Sequence, residues 1–237
     1  MKIALLGYGK MGKEIEKIAL EKGHSIGLKV TSENAEFSPA ELLGIDVAIE
    51  FSRPEFAVSN IKKCFDANVP VVVGTTGWYE YLDEIETICV ARNQTLLYAT
   101  NFSIGVNLFF KLNTQLAQLM NNYPEYKVEV EEIHHTQKLD APSGTAITLA
   151  EQVIENLDRK EGWTIDAPST KKQIHIAALG EENVPGTHSI TYTSDIDDIE
   201  ITHTAKSRDG FALGAVLAAE FMSGKTGIYQ MKDVLNL

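Results

Sequence analysis

One short stretch of the chain concentrates side chains that could move a proton: His134-His135-Thr136-Gln137-Lys138-Leu139-Asp140-Ala141-Pro142-Ser143-Gly144-Thr145. An imidazole that titrates near neutrality can pass one proton to a developing anion, and Lys138 adds a full positive charge beside it. Pro142-Ser143-Gly144 marks a helix start, because Ala146, Ile147, Ala150, Val153, Ile154 and Leu157 follow at helical spacing. No Glu or Gln stands three residues after Ser143, so the capping box is incomplete. The amides around Gly144 and Thr145 are therefore expected to be open to a carboxylate, a contact that contributes about 0.3–1 kcal/mol, rising to ~2 when partly buried. This chemistry suits protonation of a small anionic substrate. His134 and His135 are adjacent on an extended chain, so their rings point to opposite sides. That argues against a shared metal ion, whose ligands must converge, and no metal site is expected. His134 continues the face of Val128 and Val130, and its plain alternative is a satisfied, half-buried histidine; Lys138 and the open helix start weigh against that. Glu129, Glu131 and Glu132 are assigned to a solvated face.

A second constellation lies at the start of the chain. Gly7-Tyr8-Gly9-Lys10-Met11-Gly12 has the pattern G-x-G-x-x-G, follows an apolar strand at Lys2–Leu6 and opens a helix at Lys10–Lys22. In a dinucleotide site the first glycine permits the tight turn. The second lets backbone approach a pyrophosphate, and the third lets helix pack on strand. Free amides at the helix start favour an anion, with Lys10 and Lys13 adding positive charge. An acidic residue expected about 20 residues further on, to bind the ribose 2′-hydroxyl of NAD, is missing. Lys29-Val30-Thr31-Ser32 stands there instead. A 2′-phosphate is then not repelled, and Lys29 or the hydroxyls could help hold it. The pattern favours NADP, or use of both dinucleotides. Gly74-Thr75-Thr76-Gly77 and Ala99-Thr100-Asn101-Phe102 each follow a strand, at the sheet edge where such folds bind ligands. Gly74, Thr75, Thr76, Ala99, Thr100, Asn101 and Phe102 are the candidates to receive the nicotinamide end.

The elements that must position these groups follow from periodicity. Strands at Lys2–Leu6, Ser25–Val30, Val47–Phe51, Val71–Val73 and Leu96–Ala99 alternate with helices at Lys10–Lys22, Pro54–Ala67 and Tyr79–Ala91. Strands apolar on both sides and alternating with helices indicate a parallel sheet covered on both faces. After Asn101 the pattern changes. A helix at Val106–Met120 precedes a strand at Lys127–Ile133 that is apolar on one side only. Two later runs alternate likewise, with His188, Ile190 and Tyr192 on one and Ile199, Ile201, His203 and Ala205 on the other. A last helix covers about Phe211–Met222. The predicted fold is α/β: a Rossmann-like parallel-sheet domain, 1–102 plus about 208–237, with an inserted α+β domain at about 103–207 that carries the candidate substrate contacts.

Composition bounds the partners. The 237 residues carry 21 Lys and Arg against 33 Asp and Glu, a formal charge of −12. Such a chain is a poor general binder of nucleic acid or anionic membrane, and a small anion would need local cations: Lys138, the histidines, the helix start and Arg208. Cys64 and Cys89 lie in apolar stretches and are expected to be buried reduced thiols. The longest uncharged stretch, Asn93–Phe110, is rich in Asn, Thr, Ser and Gly and is no membrane span. The N-terminus reaches glycine too early for a signal-peptide core. A cytoplasmic protein is expected.

The stretch E-x-H-H-x-x-K-x-D-A-P-S-G-T-A resembles the signature of the dihydrodipicolinate reductase family, the 4-hydroxy-tetrahydrodipicolinate reductases of lysine and diaminopimelate synthesis. GYGKMG, DVAIEFSRP, GTTGW, ATNFSIGVN, ITHTAKSRDGFALGA and GIYQMKDVLNL are similar to that family in order and spacing, over nearly the whole chain. The resemblance implies reduction of a cyclic imine dicarboxylate by NADPH or NADH, with loss of water. It implies that His134 donates the proton, that Lys138 assists and holds substrate, and that His135, Ser143, Gly144 and Thr145 contact substrate. It implies cofactor contacts at Gly7 to Gly12, Gly74 to Thr76 and Ala99 to Phe102, and a homotetramer built through the inserted domain's sheet. Two features depart from the family. Thr31 stands where an acidic residue is common, and Ala177–His188 keeps Gly-x-His but lacks the usual Arg-x-Gly. Two other functions share the glycine loop: a two-domain nicotinamide-dependent amino- or keto-acid dehydrogenase, and a non-catalytic nucleotide sensor. Neither needs the central signature.

Overall fold

The computed structural model describes residues 1–34, 36–134, 142–167, 169–180 and 186–237. In chain order the elements are β1 (Lys2–Leu6), α1 (Lys10–Glu21), β2 (Ser25–Val30), β3 (Val47–Glu50), α2 (Pro54–Asp66), β4 (Val71–Val73), α3 (Leu82–Ala91) and β5 (Thr95–Tyr98). Then come α4 (Ile104–Met120), β6 (Lys127–His134), α5 (Gly144–Asn156), β7 (Gly162–Thr164), β8 (Gln173–Gly180), β9 (Thr187–Thr193) and β10 (Asp198–Thr204). The chain closes with α6 (Asp209–Phe221), β11 (Gly227–Tyr229) and α7 (Met231–Leu235). Two compact units result, Met1–Ile104 with Arg208–Leu237, and Gly105–Ser207. No helix among the described residues is long and apolar enough to cross a membrane.

The first unit is built on a six-stranded parallel sheet, β11-β5-β4-β3-β1-β2. Its central strands are apolar on both sides because helices cover both faces. On one face α2 and α3 place Ala57, Ile61, Phe65, Ile85 and Cys89 against Ala4, Leu6, Ala48, Val71 and Val73. On the other, α1 and α6 place Ile15, Ala19, Ala212, Ala215, Val216 and Ala219 against Ile3, Leu5, Val47, Ile49 and Val72. The alanine-rich α6 comes very close to neighbouring backbone: a Cβ added at Gly214 would lie 1.7 Å from the Phe102 carbonyl oxygen. Because β1 is flanked by β2 and β3, the winding reverses there, and a crevice forms at the carboxyl ends of β1 and β3.

The second unit is a mixed five-stranded sheet, β10-β9-β6-β8-β7, with β6 parallel to β8 and antiparallel to β9. Helices α4 and α5 cover one face, where Phe109, Ala117, Leu149, Ala150 and Val153 pack on Val128, Val130, Ile174, Ile176, Ile190 and Tyr192. Lys127, Glu129 and Glu131 point from β6 away from that core and are exposed.

Several elements differ from the periodicity. The expected helix at Tyr79–Ala91 begins as a short 3-10 turn, Tyr79–Tyr81, before α3. The helix expected to be last, α6, begins earlier, at Asp209, and β11 and α7 follow it. Strands β7 and β8 were not legible: β7 has three residues, and in β8 the alternation of Ile174 and Ile176 runs into Ala177-Ala178-Leu179. Cys64 and Cys89 are buried free thiols, as expected.

Candidate active site

The glycine loop occupies the crevice of the first unit. Gly7 has φ +104°, and a Cβ there would meet the Phe51 carbonyl oxygen at 2.2 Å, so only glycine makes this turn. The amides of Gly7 and Tyr8 both donate to the Val30 carbonyl, at 3.1 and 2.8 Å, which pins the loop to the end of β2. Gly12 packs α1 against the loop, its Cβ position only 2.4 Å from the Gly7 carbonyl oxygen. Gly9 differs: it caps α1 without a side-chain hydrogen bond, and a Cβ there would have no atom within 4 Å. Backbone is thus exposed where a pyrophosphate would lie against a helix start. A cavity of about 440 Å³, lined among others by Gly9, Thr31, Ser32 and Arg53, adjoins the loop. It falls in the range of ligand pockets, ~300–1,000 Å³, and the residues present fit a dinucleotide. Lys10 is exposed, and Met11 packs on the apolar core of this unit.

Lys29 is not available to this cavity as expected. Its Nζ pairs with Glu16 Oε1 at 2.6 Å and lies 4.6 Å from the Tyr8 ring centroid. Thr31 donates from its amide and hydroxyl to Asn34 Oδ1, at 2.5 and 3.0 Å. The cation that lines the cavity is Arg53, with a side chain 71% exposed. It was missed by sequence reasoning, although its place just after β3 at the point of reversed winding could have found it.

Beneath these loops lies a second residue that was missed, Glu50, which is fully buried. Its Oε1 accepts from the Ser52 amide at 3.2 Å, from the Ser52 hydroxyl, and from Asn60 Nδ2 at 3.3 Å. Its Oε2 and the neighbouring-loop Thr75 Oγ1 are both buried without a hydrogen-bond partner. Burial pushes the Glu50 pKa up, and the hydrogen bonds from Ser52 and Asn60 only partly oppose it. The Gly74 amide donates to the Glu50 carbonyl at 2.8 Å, and Trp78 Nε1 donates to the Thr75 carbonyl at 2.8 Å. Thr76 and Thr100 are exposed, and Ala99 is half-buried. The Asn101 side chain accepts from the Ser103 amide at 2.8 Å. Phe102 is 2% exposed and tilts against Phe51 at 5.5 Å, so its ring is core and only its backbone could meet a ligand.

In the second unit β6 carries Val128, Val130, Glu132 and His134 on one face. Glu132 is therefore not on the solvated face as expected; it is 2% exposed. Its Oε1 accepts from the Ser143 amide at 2.8 Å. Its Oε2 lies 3.3 Å from His134 Nδ1 and 3.5 Å from His188 Nε2, ion-pair distances for protonated rings. Burial pushes the carboxyl upward, but hydrogen bonds from His188 and Ser143, with the nearby His134, outweigh it and hold the pKa at about 2. The antiparallel register explains the meeting, since Glu132 is opposite His188 and His188 opposite His203. The rings of His134 and His188 meet edge-on at 5.0 Å.

The start of α5 is capped, contrary to expectation. Ser143 Oγ accepts from the Ala146 amide at 3.1 Å and lies 3.2 Å from His188 Nε2. Gly144 is exposed and Thr145 half-buried, in the first turn of α5. Glu132, His134 and His188 gather their side-chain nitrogen and oxygen atoms into one cluster, within 4.8 Å of one another. Sequence reasoning missed it because His188 belongs to a different strand. His135 and Lys138 lie outside the described residues. Arg208 is exposed at the N-terminus of α6, in the first unit.

Known proteins share this arrangement of sequence. The family profiles described as dihydrodipicolinate reductase, N-terminus, and dihydrodipicolinate reductase, C-terminus, match residues 1–102 and 105–235. The 4-hydroxy-tetrahydrodipicolinate reductase of Christiangramia forsetii is 53% identical over 238 residues, covering 100% of this chain and 98% of its own. That of Neisseria meningitidis serogroup B is 36% identical over 231 residues, covering 94% and 84%. Among solved structures, dipicolinate-bound dihydrodipicolinate reductase from Paenisporosarcina sp. TG-14 has a TM-score of 0.71 at 24% identity, over 97% of each chain. The amine dehydrogenase of Mycobacterium smegmatis has 0.60 at 9%, over 98% and 95%. At those identities the two structures show a shared fold alone. With both family profiles matched along nearly its full length, the chain belongs to the dihydrodipicolinate reductase family.

Proposed function

We propose that the protein reduces 4-hydroxy-tetrahydrodipicolinate to tetrahydrodipicolinate in the diaminopimelate route to lysine. The family membership and the 53% identity to a reductase so named support the reading. The observation that carries it is the imidazole of His134 beside the buried Glu132 carboxylate, at the end of the strand that leads into the family's signature. Substrate, reduced dinucleotide and one proton give product, oxidised dinucleotide and water. Bound NADPH or NADH supplies the hydride.

The chain's own residues bind, orient and protonate. The Gly7–Gly12 loop and the free start of α1 hold the pyrophosphate. Gly74, Thr75, Thr76 and the backbone of Ala99 to Phe102 receive the nicotinamide end. His134 gives a proton to the atom next to the carbon being reduced, a contribution of about 10²–10⁴-fold for a placed acid. Lys138 and His135 hold the substrate carboxylates, with Ser143, Gly144 and Thr145 supplying the α5 start. With no acidic residue at Thr31 and with Arg53 on the cavity, NADPH is the preferred donor. The protein works in the cytoplasm as a homotetramer assembled through the sheet of the second unit.

The test is a coupled assay with the cyclic imine, with NADH and NADPH in parallel and 2-keto acids as competitors. Oxidation with the imine and not with keto acids is expected, with His134→Gln and Lys138→Met each losing most turnover. Oxidation with keto acids alone would make the protein a different dehydrogenase, and binding without turnover would make it a sensor. Light scattering checks the tetramer.

A further inference from the structure

We propose that Glu132, clamped by Ser143 and His188, is the positioning residue for the proton donor His134: it fixes the ring through Nδ1, stabilises its charged form, and leaves Nε2 as the nitrogen that gives the proton. The inference rests on the proton-donor role given to His134 above.

Three observations carry it. First, the Glu132 carboxylate is buried and held by a hydrogen bond at Oε1, while Oε2 makes no hydrogen bond among the described residues and is met at ion-pair distance only. Oε1 takes the Ser143 amide at 2.8 Å, and Oε2 lies within 3.3 and 3.5 Å of two imidazoles. A buried carboxylate tied in this way orients whatever ring meets it, as the second partner of a catalytic histidine does in general. Second, the approach is to Nδ1, so the carboxylate favours a proton on that nitrogen in the neutral ring and leaves the proton to be given on the other. Third, the Nε2–Cδ2 edge faces Gly186. A Cβ at that position would lie 3.3 Å from Nε2 and 3.5 Å from Cδ2, and Gly186 has φ +146°. The backbone of Gly186, which brings no side chain, packs against this edge.

Among the described residues, the titratable groups facing His134 are Glu132 on its own strand and His188 on β9, with His203 on β10 behind His188. Glu132 is the one anion of this set, and it stands against both nearer rings. In the transfer itself the Nε2–H bond breaks, its electron pair stays on the ring, and the proton bonds to the substrate; water restores the proton to the ring.

The experiment uses the full chain with Glu132→Gln, Glu132→Asp and His134→Gln, each checked by thermal melting and dinucleotide binding. Because the acid must be protonated, activity falls as pH rises through its pKa. Removing the anion lowers that pKa, by about 1–3 pH units for a close opposite charge. For Glu132→Gln the alkaline limb of kcat/KM is expected to move down by at least about one unit. Turnover should fall about 10–100-fold, with the dinucleotide KM nearly unchanged. Glu132→Asp should restore the limb. NMR of ring-labelled histidines, with His134 assigned from the His134→Gln spectrum, should show the same downward shift in titration. It should also show Nδ1 protonated in the neutral ring of the wild-type protein, a measurement that does not depend on the Glu132 variants folding. A proton on Nε2 in the neutral wild-type ring, or an unmoved limb in Glu132→Gln while His134→Gln is inactive, overturns this role for Glu132 and leaves the donor reading standing. Full turnover by His134→Gln overturns the donor reading itself, and this role with it.

Discussion

Two glycines of one loop offer a clean separation of folding from ligand binding. At Gly12 an added methyl would lie 2.4 Å from the Gly7 carbonyl oxygen, a backbone atom that no rotamer change can remove. Ordinary contact lies at 3.4–4 Å, so helix and loop must part by roughly 1 Å. Overpacking of this kind costs about 1–3 kcal/mol. The better helix propensity of alanine returns at most about 1 kcal/mol. A net loss of up to about 3 kcal/mol follows, and Tm falls by up to about 12 °C at ~2–4 °C per kcal/mol for a chain of this size. At Gly9 the same methyl meets nothing within 4 Å, and stability should change by no more than about 0.5 kcal/mol. Yet that methyl projects where the pyrophosphate must approach backbone, so dinucleotide affinity should drop at least about tenfold, or 1.4 kcal/mol. Thermal melting and a fluorescence titration with NADPH read both variants. Wild-type affinity in Gly9→Ala would falsify the placement of the pyrophosphate, and an unchanged Tm in Gly12→Ala would show that the close contact yields.

Other expectations follow from the buried polar groups. Burial raises the Glu50 pKa, so wild-type stability should decline as pH rises from the ordinary carboxyl range through that raised value. Glu50→Gln lacks the decline, and its Tm advantage should grow from acid to neutral pH; a constant difference would mean that Glu50 is not neutral in the folded protein. Ser143→Ala removes the α5 cap and should cost about 0.5–2 kcal/mol in urea unfolding, with turnover falling more than stability explains because His188 loses the hydroxyl beside its Nε2, although the amide of residue 143 still reaches Glu132. Thr31→Asp places a carboxylate at the end of β2 and should move the kcat/KM ratio toward NADH; an unmoved ratio would show that Arg53 and Ser32, not residue 31, set the preference.

The sequence disclosed the parallel sheet because Ile3 to Leu6 and Val71 to Val73 are apolar on both sides, a pattern that requires helices on two faces. It disclosed the glycine loop because the fingerprint fell between a strand and a helix. The error at Glu132 was one of parity: residues 128, 130, 132 and 134 share a face of β6, and a carboxylate on that face must be buried and paired. His188 could not be joined to it from periodicity, since the antiparallel register of β6 and β9 is set by pairing between distant segments. Lys29 was given to the ligand because an ion pair with Glu16, from α1 to β2, is a tertiary contact. Strands β7 and β11 have three residues each and lack the unbroken apolar run that marked β4, so neither a period nor a run could show.

The last thirty residues complete a sheet begun by the first. Strand β5 gains its outer neighbour only from β11, and the face of β1, β3 and β4 that α1 covers in part is completed by α6. During synthesis the amino-terminal strands therefore emerge with that flank bare, while Gly105–Ser207 already has every strand it needs. The inserted unit can mature first on the ribosome, and emergence of the Arg208–Leu237 segment becomes the event that seals the nucleotide-binding half. A chain stopped short of Phe211 would lose the half that lies at the opposite end of the sequence.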